Sequence, residues 1–272
     1  MVAMSALVHG AAERVPVGQI MLWRSLMALP PILIYMGLRR EFPQALRTRH
    51  PRLHVTRGLF GALSMGLSFL SLAYLPVANA QAIAYLAPVL TLPVAAILLG
   101  ERISGRVMVA VAVGFAGVIA LLWDALALPG EGGLIGIAAG LAYALTMAFV
   151  RVHTKRMTVT ESSATIAFYF ALVAAAVGLA TAPFGWVTLS LSDMGLLTLA
   201  GVIGGLGHIA SNEAVARASV SALAPFDFTG LIWALGFDIL LFAHLPDEMA
   251  LIGCAAITLA ALLVVRGKAS AG

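Results

Sequence analysis

The stretch that decides the fold spans residues 17–57 and reads VGQIMLWRSLMALPPILIYMGLRREFPQALRTRHPRLHVTR. Residues 17–38 are almost wholly apolar, and residues 39–57 hold six Arg and one Glu. An apolar helix of about 20 residues is long enough to cross about 30 Å of hydrocarbon. The stretch therefore predicts a membrane span that is followed by a strongly basic loop.

The same alternation continues along the whole chain. Hydrophobic residues make up 61% of the sequence and charged residues 10%, whereas a soluble domain carries about 25% charged residues. Backbone groups in lipid must form hydrogen bonds within their own segment, so we predict an all-α polytopic membrane protein. The predicted helices cover residues 1–12 (a partial helix), 17–38, 57–75, 77–99, 105–123, 132–151, 162–184, 194–212, 218–243 and 248–266.

The basic residues predict the orientation of these helices. Fourteen of the sixteen Lys and Arg residues lie in every second loop, and the intervening loops carry acids. Because positively charged loops stay cytoplasmic, we expect a multi-pass protein of the bacterial inner membrane with both termini in the cytoplasm. Basic residues in short loops favour membrane lipids over nucleic acid as a partner. The fourteen are Arg39, Arg40, Arg47, Arg49, Arg52, Arg57, Arg102, Arg106, Arg151, Lys155, Arg156, Arg217, Arg266 and Lys268.

A short internal repeat divides the chain into two halves. Leu86-Ala87-Pro88 recurs 137 residues later as Leu223-Ala224-Pro225, and each copy follows a run of small residues. The copies lie in the fourth and ninth predicted helices, so each repeat unit has five helices, an odd number, and the second half crosses the membrane in the opposite sense. We therefore predict ten transmembrane helices in two inverted five-helix repeats, 1–125 and 126–272, with the first helix truncated. Inverted repeats are typical of transporters, whose substrate sites lie near the midplane.

This pattern resembles the EamA-type drug/metabolite transporter superfamily. The residues that carry the likeness are Arg24 after Leu22-Trp23, Ala84-Tyr85-Leu86-Ala87-Pro88, Leu98-Leu99-Gly100-Glu101-Arg102-Ile103, Ala222-Leu223-Ala224-Pro225-Phe226-Asp227-Phe228-Thr229 and Leu251-Ile252-Gly253. The resemblance implies ten helices in two inverted halves that export or exchange small metabolites. It also implies a central cavity lined by helices 1, 3, 4, 6, 8 and 9. One departure is Ala243-His244, where the second half of the family often has Gly-Glu.

Acids inside the predicted span 218–243 are the first candidates for charge coupling. Asp227 and Asp238 are eleven residues apart, so they lie on nearly one stripe, about 16 Å apart along the helix axis. Asp227 follows Pro225, which can break or kink the helix. An intramembrane carboxylate is expected to meet a cation, an amine or a proton; the alternative is a carboxylate bonded to neighbouring hydroxyls. Trp233 is a further cavity candidate, and it stacks on a substrate only if the helix is unwound.

Polar residues on the predicted span 77–99 form a second candidate surface. Gln81, Tyr85 and Pro88 are spaced i, i+4 and i+7, which places them on one helical face. Pro88 is expected to kink this helix, and Tyr143 offers another hydroxyl from the span 132–151. These side chains supply hydrogen bonds either to a substrate or between helices, and the sequence leaves both readings open.

Two basic candidates lie on other helices. Arg24 is about two turns inside the span 17–38, where it should pair with Asp227, with Asp238 or with a substrate carboxylate, or else snorkel to the surface. His208 is either a cavity or proton-relay residue or, more simply, a hydrogen-bonded packing residue. Neither group belongs to a cluster with the spacing of metal ligands, so we expect no metal and no cofactor.

Together these features predict a secondary active transporter and not an enzyme. The expected substrate is a small organic metabolite, such as an amino acid or an amine, carried by alternating access. A channel-like facilitator is the first alternative. A lipid-processing membrane enzyme is disfavoured, because the long basic loop carries no repeated acidic or His motif. A pair of packed halves could act as a monomer, and an oligomer is equally compatible with the sequence.

Overall fold

The computed structural model describes residues 14–75, 77–121, 123, 132–233, 236 and 248–269. These residues contain helices and turns and no strand, which confirms the all-α class. Short 3₁₀ turns lie at Gln44–Leu46 and Ala182–Phe184. The α-helices are α1 (Val17–Leu38), α2 (Pro51–Tyr74), α3 (Val77–Ala84), α4 (Leu86–Leu99), α5 (Gly105–Leu121), α6 (Gly133–Met157), α7 (Ser163–Leu179), α8 (Leu191–Arg217), α9 (Val220–Asp227) and α10 (Glu248–Ala269).

Several of these helices have the length and composition of membrane spans. Four stretches of the described chain are both long and apolar enough to cross a bilayer: Val17–Leu38, Asn79–Leu99, Gly133–Met157 and Leu191–Arg217. Large apolar side chains stand exposed on them, such as Leu134 at 83% and Ile97 at 80%. A water-soluble protein rarely shows apolar surface on this scale. The chain is therefore a multi-pass membrane protein.

Among the helices that extend beyond their predicted limits, α2 and α6 each carry an arginine that the prediction counted among the loop residues. α2 begins at Pro51 and not at 57, because a proline is already preset for the first helical position. Arg57 therefore lies inside a helix. α6 continues to Met157, past its predicted end at 151, so Arg151 is helical as well.

Two further boundaries also differ from prediction. The predicted span 162–184 ends at Leu179, and Gly185 adopts a left-handed conformation with φ of 85° after a 3₁₀ turn. α8 is longer than the predicted 194–212. Its first turn is capped by Ser190, whose Oγ accepts a hydrogen bond of 3.1 Å from the backbone N–H of Asp193.

The two proline-bearing segments are interrupted. The predicted span 77–99 consists of α3 and α4, which are separated by a turn at Tyr85. Pro88 lies four residues after Ala84, whose carbonyl the proline ring would crowd in a continuous helix. α9 contains Pro225 and ends at Asp227, and residues 229–233 are helical again after Phe228. The predicted helix 1–12, Asp238 and Ala243-His244 lie outside the described residues.

The helices assemble into two compact units, and α2 and α6 contribute residues to both. The first unit comprises, in its described part, residues 14–62 and 153–217. In it α1 packs along both α7 and α8. Its core is built from small and medium apolar side chains: Ala28, Ile32, Met36, Ala45, Ala164, Ala167, Ala171 and Ile209. Small residues at these interfaces allow the close helix packing that membrane proteins need.

The second unit comprises, in its described part, residues 63–75, 77–121, 123, 132–152, 218–233, 236 and 248–269. α5 packs along α10, and α9 packs against α4, α5 and α10. Its core includes Leu92, Val111, Val118, Phe228 and Ile257. Phe228, the residue at the interruption after α9, is fully buried. The interruption is therefore anchored in the core, which fixes the position of Asp227 beside it.

Glycines on α8 let it approach α1 closely. A Cβ at Gly205 would lie 2.7 Å from the backbone oxygen of Ala28, and one at Gly201 would lie 2.6 Å from that of Arg24. Real side chains do not come so near a backbone oxygen, so either helix would have to move. Gly195 on the same helix faces open space.

We expect Gly205→Ala to lower the stability of the purified protein by about 1–3 kcal/mol, because the added methyl overpacks two rigid backbones. Gly195→Ala is the matched control, and it should be neutral or slightly stabilising, since Ala is the better helix former. Thermal unfolding in detergent, followed by tryptophan fluorescence, compares the two variants. Equal melting temperatures for both would contradict the close approach of α1 and α8.

Candidate functional site

An ion pair inside the second unit joins α6 to α9. The Arg151 guanidinium contacts the Asp227 carboxylate, and the two side chains are 25% and 30% exposed. Both groups come from apolar helices, where an isolated charge is costly and a pair is the usual solution. The pair is only half-buried, so a polar ligand can reach it. A basic group on a substrate could compete for Asp227, and an acidic group could compete for Arg151.

Two tyrosines lie on the Arg151 side of this ion pair. Tyr143 on α6 lies within electrostatic range of both Arg151 and Tyr85. Tyr85 stands at the turn between α3 and α4, with its ring centroid 6.1 Å from that of Phe228. The helix interruption at Tyr85 and the one at Phe228 thus lie side by side. Together they place one ion pair and two phenols in the same part of the unit.

Glu101 holds the start of α9 in place. Its Oε1 accepts a hydrogen bond of 3.0 Å from the N–H of Val220, and its Oε2 accepts bonds of 3.1 and 2.6 Å from the N–H and hydroxyl of Ser221. Gly100 makes this possible by ending α4 in a left-handed conformation with φ of 67°. A carboxylate at a helix N-terminus is also favoured by the helix dipole. The Gly100-Glu101 motif therefore positions the helix that carries Asp227.

The first unit contains a pocket between α1, α7 and α8. Arg24 and Ser25 of α1, Phe170 of α7 and His208 of α8 are among its lining residues. The rings of Phe170 and His208 meet edge to face, 4.7 Å apart. The pocket is narrow and has room for about one water-sized group. Its lining is mostly apolar, and Arg24 and His208 add two nitrogen-bearing side chains.

Arg57 packs directly against this pocket wall. Its guanidinium lies over the ring of Phe170, 4.2 Å from the centroid, and its side chain is buried. Gly61, one turn further along α2, leaves the space for this stacking, because a Cβ there would lie 3.0 Å from Arg57 Nη1. A cation–π contact recovers about 2 kcal/mol when desolvated, whereas burial of an ion costs several kcal/mol. The stacking alone therefore does not compensate for the burial of Arg57.

The structure distributes the sequence-predicted residues between the two units. Asp227, Tyr85 and Tyr143 come together in the second unit, near the buried Pro88 and Pro225, while Arg24 and His208 line the pocket of the first. Gln81 is exposed, and Trp233 is 67% exposed. These two side chains are not enclosed by the described residues.

Sequence reasoning missed Arg151 and Arg57, because it counted both among the loop residues. Asp227 was given Arg24 as one candidate partner, and the structure gives it Arg151 instead. Helical spacing held a signal for Arg151, which lies eight residues after Tyr143 and so on nearly the same face. No comparable signal existed for Arg57, since its burial depends on a helix that starts at Pro51.

The described residues contain no group of three or more His, Cys, Asp or Glu side chains that could hold a metal ion. The polar groups within the apolar helices are instead an ion pair, two phenols and a basic pocket. These groups suit the binding of a small polar or charged organic molecule. Such an arrangement in a multi-pass helical protein is typical of membrane transporters.

Comparison with known sequences indicates which family of membrane transporters this protein resembles. Residues 1–123 match the EamA-like transporter family, which confirms the resemblance seen in the motifs. The matched residues make up a little under half of the chain, and the family that they resemble is one of transporters.

Curated relatives extend the likeness over nearly the whole chain. The pseudopaline exporter CntI of Pseudomonas aeruginosa is 29% identical over 97% of this chain and 92% of its own length. An S-adenosylmethionine uptake transporter of Rickettsia bellii is 27% identical over 91% and 82%. A riboflavin transporter of Rhizobium johnstonii is 29% identical over 88% and 76%. All three are named as transporters of small molecules.

A solved crystal structure shares the fold. It superposes with a TM-score of 0.83 at 22% identity, covering 97% of this chain and 92% of the other. At this identity the match supports the fold and carries no information on substrate.

Proposed function

We propose that this protein is a secondary active transporter that moves a small organic metabolite, such as an amino acid or an amine, across the bacterial inner membrane. It works by alternating access and serves as an exporter or exchanger. Ten helices in two inverted halves, 1–125 and 126–272, enclose the transport path. Both termini lie in the cytoplasm, in keeping with the basic loops.

The single observation that carries this proposal is the half-buried Arg151–Asp227 pair. A charge pair between apolar helices is costly to build, so in membrane proteins it usually marks a substrate or ion pathway. Tyr143 and Tyr85 give the same region hydrogen-bonding capacity next to apolar surface. A metabolite with one charged group and one apolar group fits such a mixture.

The relatives support a transporter without fixing its direction. Their names include an exporter and an uptake transporter. Energy comes from the substrate gradient or from protons, and Asp227 is the first residue through which protons would couple.

The test is a reconstitution in liposomes loaded with one metabolite and supplied outside with a radiolabelled copy. A panel of amino acids, polyamines and other amphipathic metabolites is screened at two pH values. We expect saturable counterflow for at least one compound, and a pH dependence if protons couple. Electrogenic flux at channel rates, without counterflow, would overturn the carrier mechanism in favour of a channel. Absence of any flux across the panel with folded protein would overturn the proposed substrate class.

A further inference from the structure

The pocket of the first unit is lined and backed by basic residues. Arg24 and His208 line it, and Arg57 packs on the ring of Phe170, which also lines it. Both Arg24 and Arg57 lie within electrostatic range of His208. Two basic side chains, from α1 and α8, thus line one small space within apolar helices, and a third, from α2, lies behind its Phe170 wall.

Arg57 has no partner for part of its guanidinium. The side chain is only 7% exposed, and its Nε makes no hydrogen bond to any described residue. An unpaired, desolvated cation is unfavourable within a protein. The contact with the Phe170 ring offsets part of the cost of burying the guanidinium, but the Nε–H donor stays without a hydrogen-bond acceptor among the described residues.

The described acids of the first unit are engaged elsewhere. Asp193 pairs with Arg14, and Glu213 pairs with Arg217. Glu161 accepts a hydrogen bond of 2.5 Å from Thr48 and lies 3.7 Å from His54. Glu41 is 3.7 Å from Arg39. None of these four carboxylates forms an ion pair with Arg57, so its counter-charge has to come from outside this group.

We infer that this pocket is an anion subsite that binds a carboxylate of the transported metabolite. The inference deepens the proposed function and rests on it. Arg24 lines the subsite and supplies charged donors, His208 adds a ring N–H, and Arg57 supplies further positive charge behind Phe170. The pocket admits one water-sized group, so a single carboxylate oxygen can enter while the rest of the molecule stays outside. The phosphate of an anionic lipid offers similar chemistry, and the test below separates the two sources.

The experiment uses matched probes that differ only in the acid group, such as leucine against leucinamide and phenylalanine against phenylalaninamide. Binding to the purified protein is measured by thermal stabilisation in detergent, which does not require transport. We expect the carboxylate member to bind about tenfold more tightly or better, because a hydrogen bond to a charged group is worth this much. Uptake of the same pairs into liposomes should show the same preference.

Arg57→Gln tests the assignment of the subsite. It should reduce the preference for carboxylate over amide to less than about twofold, because the positive charge behind the Phe170 ring is lost. Arg57→Lys should retain part of the preference. Arg52→Gln is the matched control, since Arg52 is an exposed arginine five residues earlier on α2. Should Arg57→Gln not purify as a folded protein, His208→Gln in the same pocket takes its place and should also lower the preference.

The outcomes separate the subsite from the transport function. Equal binding of carboxylate and amide by the wild type, or an undiminished preference in Arg57→Gln, would overturn the subsite even if transport is observed. If the protein binds the carboxylate probes more tightly than the amides but transports neither, the subsite is supported and the proposed transport function is overturned. Both measurements are repeated with and without phosphatidylglycerol. Thermal stabilisation by that lipid alone, lost in Arg57→Gln, would show that the pocket binds a lipid headgroup. It would overturn the assignment of the pocket to the carboxylate of a metabolite.

Discussion

Replacement of Asp227 with Asn is expected to lower the rate of counterflow at least about 100-fold, the equivalent of about 3 kcal/mol. The change removes the carboxylate that pairs with Arg151 and leaves an uncompensated cation between apolar helices. Breaking one side of a buried pair costs about 3–5 kcal/mol, and the partial exposure of this pair places the effect at the lower end. Initial rates are measured with the compound found in the metabolite screen.

A second variant separates transport from folding. The double change Asp227→Asn with Arg151→Gln removes both charges, so the protein should regain much of its thermal stability and remain inactive. Glu248→Gln is the control, because Glu248 is an exposed acid at the start of α10 in the same unit. It should transport at the wild-type rate. Counterflow that survives in Asp227→Asn would remove the ion pair from the mechanism.

The second large effect is expected at Glu101. Its replacement with Ala removes three hydrogen bonds to Val220 and Ser221 and leaves two backbone N–H groups at the start of α9 without their acceptor. We expect a loss of about 2–4 kcal/mol in unfolding free energy, since hydrogen bonds to charged groups are worth about 1.5–3 kcal/mol each and Glu101 is only half-buried. Transport should fall as well, because α9 positions Asp227.

Thermal unfolding of Glu101→Ala is compared with that of Glu101→Gln and Glu248→Ala. The glutamine retains one acceptor oxygen and should lose less stability than the alanine. Glu248→Ala removes an exposed acid from the first turn of α10 and should change stability by only a few tenths of a kcal/mol. A melting temperature of Glu101→Ala equal to that of the wild type would show that this carboxylate does not hold α9.

The sequence predicted the helices well where composition alone determines them. The limits of α1 agree with the predicted 17–38, because a basic loop closes one end and Pro16 lies at the other. Small-residue stripes were also informative. Gly132, Gly136 and Gly140 are spaced by four residues, which is typical of a close-packing face, and the structure places Tyr74, Leu75 and Ile83 against them. Composition and periodicity determine these features locally, so no tertiary information was needed.

The polar pairings were less predictable, because they depend on tertiary contacts. The sequence singled out Asp227 as an intramembrane acid and could not name its partner. Arg151 was counted with Lys155 as part of a basic loop, although a helix that runs to Met157 carries both. Lys155 does act at a helix end, where it donates hydrogen bonds of 2.8 and 3.2 Å to the carbonyls of Val215 and Ala216. Charge placement therefore put both residues in a loop, whereas both belong to α6.

The contacts of Glu101 could not be predicted from the sequence either. The motif Gly100-Glu101 was visible in the sequence as part of a family pattern. Its contact with Val220 and Ser221 spans about 120 residues, and no local spacing reports such a contact. The inverted-repeat arrangement of the halves 1–125 and 126–272 likewise stays a prediction, which rests on the repeated Leu-Ala-Pro motif and the alternating charge.

Membrane topology tests the central claim most directly. In a variant that lacks Cys254, single cysteines are introduced by Arg47→Cys, Val159→Cys and Phe184→Cys. The native residues at 159 and 184 are 81% and 82% exposed. A membrane-impermeant maleimide is applied to intact cells and to inverted vesicles. The account predicts labelling of positions 47 and 159 only from the cytoplasmic side, and of position 184 only from the outside. Labelling of positions 47 and 159 from opposite sides would contradict it.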